Sequence, residues 1–246
     1  MTEIRIRKET LEIFIDAIGE ILTECRLVFS KEGIAVKAVD DANVAMVLAK
    51  LPGNLMDQYV SPDLTFGVDL KKIKVALSIM SDDSLTLDVT EKNITMKDGK
   101  SEYNCKALDV NSIRKEPKVP GLTLASNATF SGAEFAEAIK QVGKIGDAIS
   151  IETSDIGLFL FTQGDTDSIR RKITTDQKKI VRAKSLYSLD YLKDIAKVVK
   201  SAIYVKIDMG TNQPIRIQFT VGGIDVTYLV APRVDSDEDV KKGDAD

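Results

Sequence analysis

Ile215-Arg-Ile-Gln-Phe-Thr220 and Ile224-Asp-Val-Thr-Tyr228, divided by Gly222-Gly223 and followed by Leu229-Val-Ala-Pro-Arg-Val234, are the stretch from which the rest of the chain can be ordered. Apolar and polar residues alternate through both runs, as in strands that bury one face. A Gly-Gly pair supplies the positive φ angles of a tight hairpin, so the two runs are expected to pair. Leu85-Thr-Leu-Asp-Val89 and Ile94-Thr-Met-Lys97 show the same pattern in the first half of the chain.

That recurrence extends further. Leu11, Ile15, Leu27 and Gly33 return in character 124 positions later at Phe135, Ile139, Ile151 and Gly157, in segments that each read helix, turn, strand, turn, strand. Leu70 and Ile73 return 119 positions later at Leu189 and Leu192, inside two further amphipathic helices. Helices are expected near 8–20, 70–80, 131–142 and 189–200, with strands filling much of the remainder. Ser131 and Glu134 have capping-box spacing, in which each side chain satisfies an amide of the first turn. Two prolines and a glycine between Asn111 and Asn127 oppose a helix there. The expected organisation is α+β: a first domain over 1–112, an extended connector over 113–127, a second domain over 128–234, and a mobile acidic tail over 235–246.

Composition narrows the function. The formal charge of −4 excludes a uniformly basic surface but is compatible with a basic lining beneath an acidic exterior. Cys25 and Cys105 have no paired metal-ligand spacing and read as reduced thiols buried in strands. The chain has no histidine, so it lacks the commonest general base and any histidine proton switch. The first residues alternate charged and aliphatic, unlike a signal segment, and no apolar run approaches the ~20 residues of a membrane helix. A soluble, intracellular, DNA-associated protein is expected, with no membrane partner.

Chemistry-bearing motifs are sparse. Asp40-Asp41 and Asp82-Asp83 offer oxygens without further ligands at diagnostic spacing, and Gly157 and Gly164 form no phosphate-binding fingerprint. No cofactor, metal or catalytic residue is expected. Lysines carry a clearer pattern. Lys193, Lys197 and Lys200 recur at helical spacing opposite Leu192, Ile195, Val198 and Val199; Lys140 with Lys144, and Lys71 with Lys74, make two more stripes. Such stripes suit sequence-independent contact with phosphates. The first helix opposes this, because Glu9, Glu12, Asp16 and Glu20 outnumber Lys8. Arg170-Arg171-Lys172 falls in an expected strand and is open to three readings: a subunit edge, DNA contact or solubility.

Several separated segments together resemble the DNA sliding clamps of the proliferating cell nuclear antigen family, in an archaeal-like form. Ser30-Lys-Glu-Gly33 with Ile34 to Val47 resembles the clamp's strand and central loop, and Leu51-Pro52 follows at the familiar distance. Ser188-Leu-Asp-Tyr-Leu192 resembles the start of its fourth helix, and Leu229-Val-Ala-Pro-Arg233 is the most specific match. Asp40-Asp41-Ala42-Asn43 departs from the family pattern, which puts partner preference in doubt.

The resemblance implies a clamp fold in which three two-domain chains, by default identical, make a pseudo-sixfold ring with helices lining the hole. It implies double-stranded DNA, two further clamp subunits, a clamp-loading ATPase, DNA polymerase, flap endonuclease and DNA ligase as partners. The seven lysines named above would face DNA. Val44, Leu122, Leu124, Pro214, Tyr228, Ala231 and Pro232 would floor a groove for client peptides. The segment Asp98–Lys106 would pair with the edge Ser168–Thr175 of another chain, using Glu102, Tyr103, Cys105, Ile169, Arg171 and Ile173, with Glu102 facing a basic residue.

Overall fold

The structure, a computed structural model, describes residues 2–61, 63–176 and 181–233. The expected tail over 235–246 lies outside the described residues. The first half runs β1 (Thr2–Arg7), α1 (Lys8–Gly19), β2 (Glu24–Ser30), β3 (Gly33–Val39), β4 (Ala45–Pro52), a 3-10 turn at Gly53–Leu55, β5 (Thr65–Asp69), α2 (Leu70–Ile79), β6 (Ser84–Val89), β7 (Asn93–Lys97) and β8 (Glu102–Lys106). The second repeats the order: β9 (Ser126–Ser131), α3 (Gly132–Val142), β10 (Ala148–Ser154), β11 (Gly157–Gln163), β12 (Ser168–Ile173), β13 (Ala183–Ser188), α4 (Leu189–Val199), β14 (Tyr204–Met209), β15 (Ile215–Val221) and β16 (Ile224–Val230).

Local chemistry explains the element boundaries. The Asp69 carboxylate accepts from the Lys71 and Lys72 amides at 2.9 and 3.3 Å and so caps α2. Ser131 accepts from the Glu134 amide at 3.5 Å, but only half of the expected capping box forms. The Glu134 carboxylate turns away to the Thr174 amide and hydroxyl, at 3.0 and 3.3 Å, because the chain after β12 presents both donors to it. The hairpin of β15 and β16 turns on Gly222 and Gly223, at φ +57° and +80°, as two-residue turns require. Gly33 and Gly157, the displaced pair, share the left-handed region at φ +128° and +132°.

All strand pairing is antiparallel among three sheets, ordered β1-β6-β7-β8, β12-β11-β10-β13 and β5-β2-β3-β4-β16-β15-β14-β9. The eight-stranded sheet joins the two halves through β4 and β16, where Tyr228 faces Val47. One apolar core runs through both halves, with the inner faces of all four helices packed on the strands. Cys25 and Cys105 are buried as free thiols within β2 and β8, and burial pushes the Cys25 thiol up to about 12, with Glu24 adding to it.

Candidate nucleic-acid and partner interfaces

The helices carry the lysines to one side of the sheets. Between α3 and α4 lies an open concavity of about 550 Å³, walled by Lys140, Lys193, Lys197 and Lys200 over small residues such as Ala133 and Ala136. Glu137 is the acid among its lining residues. Among the described residues, Lys71, Lys140, Lys144 and Lys200 are exposed and have no carboxylate within ion-pair distance. Lys72 is equally exposed and unpaired, and the stripe pattern passes over it.

Two of the expected DNA-facing lysines have a different primary role. Lys74 is held by Asp16 at 3.0 Å and Glu20 at 3.1 Å, and Lys197 by Glu20 at 2.9 Å and Asp194 at 2.7 Å. Lys193 stands 3.5 Å from Asp190. The reason is the position of α1, which packs against both α2 and α4 and inserts its carboxylates between their lysines. Burial works against the charge of Glu20, yet the Lys197 and Lys74 ammoniums outweigh it and hold the carboxyl below its ordinary value. Lys197 is raised in turn, first by Asp194 and then by Glu20. The acidic first helix is therefore largely neutralised across the domain junction, and Lys74 is corrected from a DNA contact to a half-buried tie.

On the opposite face of the eight-stranded sheet, the connector begins under firm anchorage. The Arg26 guanidinium donates to the Val110 and Ile113 carbonyls, Lys37 pairs with Glu116 at 2.9 Å, and Arg114 donates to the Asp40 carbonyl at 2.8 Å. The connector ends at β9, the far edge of that sheet, with Leu122 and Leu124 half-buried along it. Val44 and Ala231 are brought together by the Ala231 amide donating to the Val44 carbonyl at 2.8 Å. Pro214 directly precedes Ile215, which faces Val230, so it sits beside Ala231; Pro214, Ala231 and Pro232 are all half-buried. Six of the seven expected groove residues thus remain available to a ligand.

Tyr228 is the correction. Its side chain is fully buried on the helix side of the sheet, and its hydroxyl donates to the Ala17 carbonyl of α1. Side chains alternate along a strand, so Leu229 is the neighbour that reaches the outer face, beside its register partners Met46 and Arg216. Alternation counted back from Ile224 would have found this, but the aromatic residue attracted the assignment.

The divergent loop is structural. The Asp40 carboxylate accepts from the amides of Ala42, Val44 and Ala45, at 3.2, 2.8 and 2.7 Å, and from the Tyr191 hydroxyl of α4. Burial and that bond push the Tyr191 hydroxyl up to about 12. With its oxygens so committed, Asp40 is no metal ligand.

The expected subunit edges are real sheet edges. β8 and β12 each end a four-stranded sheet, with no further strand beyond them among the described residues. Their side chains divide by face. Glu102 and Arg171 are exposed, Tyr103 and Ile169 half-exposed. Cys105 and Ile173, at 3% and 0% exposure, point into the core and offer only backbone to a partner. Glu102 already lies 3.6 Å from Lys97 of its own chain. The Asp98 carboxylate pins the turn before β8 through the amides of Ser81, Asp82, Lys100 and Ser101, which hold it far below the usual carboxylate range.

Comparison with known proteins matches residues 1–112 to the model of the N-terminal domain of proliferating cell nuclear antigen and residues 118–233 to that of its C-terminal domain. A DNA polymerase sliding clamp of Methanosarcina barkeri is 36% identical over 245 residues, covering 96% of this chain and all of the relative. One of Methanocella arvoryzae is 34% identical over 246 residues, with the same two coverages. Among solved structures, the A. fulgidus PCNA with the C-terminal region of FEN-1 bound is 33% identical, with a TM-score of 0.87 over 96% of this chain and all of that one. A PCNA2–PCNA3 complex of Sulfolobus tokodaii, 21% identical, shares the fold at a TM-score of 0.81 over 94% of this chain and 99% of that one.

Proposed function

The chain belongs to the proliferating cell nuclear antigen family, and on that premise we propose that it is a DNA polymerase sliding clamp: three copies close into a ring around duplex DNA, raise polymerase processivity and recruit replication and repair factors. The observation that carries this reading is the division of labour between the two faces of the sheets. One face bears helices with unpaired lysines, the other an apolar groove, and β8 and β12 are left open between them. Lysine contacts to phosphate are weak and indifferent to sequence, so a closed ring retains DNA by topology while each contact exchanges as it slides. No covalent chemistry is asked of this chain.

The groove of Val44, Leu122, Leu124, Pro214, Leu229, Ala231 and Pro232 takes a short apolar peptide segment of each client. The FEN-1 segment bound to the A. fulgidus relative supports a flap endonuclease as one such client. DNA polymerase, DNA ligase and the clamp-loading ATPase are the others, and the protein works inside the cell on DNA. Domain limits at 1–112, 113–127 and 128–234 fit the repeated element order and the extents of the two family models. Primer extension on a long primed circle, with a cognate polymerase and loader, tests the proposal. Addition of the chain should lengthen products several-fold; unchanged product length would refute it.

A further inference from the structure

Each half of the molecule is built alike, yet two strand edges break the likeness. In the first half β4 is paired by β16, whereas its repeat counterpart β12 has no partner; in the second half β16 is paired, whereas its counterpart β8 has none. Every other edge is open, or closed, equally in both halves.

The correspondence can be traced residue by residue through the registers. Across one sheet Ile4, Leu87, Met96 and Tyr103 stand in a row; across its counterpart the row is Ala128, Ile207, Ile217 and Tyr228. Tyr103 is thus the counterpart of Tyr228. Val28, Ala35 and Lys50 form a second row, matched by Glu152, Phe159 and Lys172. Counting along β4 and β12 from Lys50 and Lys172 then makes Val47 the counterpart of Ile169, and Leu48 that of Arg170. Within the chain, Tyr228 faces Val47 and Thr227 faces Leu48.

We propose that neighbouring copies of this chain join through β8 of one and β12 of the next in the register of the internal β4–β16 joint, with Tyr103 opposite Ile169 and Glu102 opposite Arg170. This rests on the ring reading and specifies its joint. Burial supports it. Tyr228 and Val47 are fully buried at the internal joint, while Tyr103 and Ile169 are left half-exposed. The helices show the same contrast: Val198 of α4 is 7% exposed, and its counterpart on α2, Ile79, is 49% exposed. The surface left uncovered is the surface that the internal joint covers.

The pairs also suit a second copy of the same chain. An aromatic residue meets an aliphatic one on the helix side, and an acid meets a base on the outer side, both favourable cross-strand combinations. Glu102 and Arg170 are now held only by exposed ion pairs, each at 3.6 Å, to Lys97 and Glu152, so both can reorient at little cost. The Tyr103 hydroxyl has no partner among the described residues, whereas that of Tyr228 is bonded to the Ala17 carbonyl. The 124-residue repeat makes Gln141 the counterpart of Ala17, so this hydroxyl is aimed at the last turn of the next copy's α3.

The test begins with the mass of the unaltered chain by light scattering, then uses cysteine pairs. In the proposed register Asn104 stands opposite Ser168, so N104C with S168C brings the Cα atoms to about 4.5–5.5 Å, within disulfide reach. N104C with R170C is displaced by two residues, at about 7–8 Å. Mild oxidation should convert most of the first variant into covalent trimers and the second at least about tenfold less. An independent arm reverses charge: E102R or R170E alone should raise the concentration at which the oligomer dissociates, and the two together should restore it. A trimer that cross-links only at the displaced pair, or at neither pair, overturns the register while leaving the ring intact. A chain that stays monomeric at high concentration overturns both.

Discussion

Replacing Tyr228 by phenylalanine removes one oxygen from the centre of the molecule, and its consequence can be worked from the end of α1. The final carbonyls of that helix need donor partners outside the regular pattern. The Asp16 carbonyl takes the Glu20 amide at 3.2 Å, and that of Ile18 takes the amides of Ile21 and Leu22 at 3.3 and 3.0 Å. The Ala17 carbonyl takes the Tyr228 hydroxyl. Burial raises the pKa of that hydroxyl, reinforced by the charges of Glu20 and Asp16, so it remains a donor at any working pH. In Y228F the ring still fills its space, and the loss is the bond plus a carbonyl stranded in the core, about 1–3 kcal/mol. For a chain of this length that lowers the melting temperature by about 3–8 °C. Urea titration and thermal melting, followed by circular dichroism, measure the loss, and fluorescence anisotropy measures affinity for a client peptide. Reduced stability with peptide affinity unchanged within about twofold is expected. Unchanged stability with peptide affinity lost would place Tyr228 in the groove after all and refute the assignment of the two sheet faces.

Truncating the groove should do the reverse: L122A with L124A, or L229A alone, should weaken peptide binding by roughly 10-fold or more by removing buried apolar surface, without lowering the oligomer's mass; unchanged affinity in an intact oligomer would reject these residues. K140Q with K200Q, which removes unpaired lysines, should flatten the salt dependence of DNA association, the slope falling by up to about 0.9 for each phosphate that is no longer neutralised. K197Q should instead act mainly through its bonds to Glu20 and Asp194, so equal DNA effects from both variants would contradict that pairing. Acid should loosen the α1 junction. Because the Glu20 carboxyl lies below its ordinary 4.5 when folded, its contribution is full above about that pH and fades as pH falls through the lowered value. Urea midpoints from about pH 6 to pH 3 should therefore drop less steeply for E20Q than for the unaltered chain, and parallel curves would show that the pairing adds nothing.

The architecture was legible because its signals are periodic. Apolar spacing located all four helices, and the displaced glycines marked the same left-handed turn twice. What escaped was set by interactions between distant segments. The box at Ser131 depends on Thr174, forty positions beyond Glu134, which competes for that carboxylate. The acidic face of α1 looked hostile to DNA until Lys74 and Lys197 arrived from two other helices. At the groove, the motif ending in Ala231-Pro232 pointed to the right place, but the choice between Tyr228 and Leu229 turns on strand parity, which an aromatic side chain disguises. The edges at β8 and β12 read as strands, but that their counterparts are paired is visible only once the sheets are assembled.

The central claim is retention by encirclement, and linearisation of loaded DNA tests it most directly. The chain is loaded onto nicked circular DNA by a clamp-loading ATPase, moved into salt high enough to screen lysine–phosphate attraction, and followed by gel filtration before and after a single cut. It should stay with the circle and leave within the assay once the DNA has ends, while remaining on cut DNA whose ends are blocked by bulky proteins. Equal loss from circular and linear DNA at that salt would mean that it is held by surface attraction alone, and would contradict the clamp.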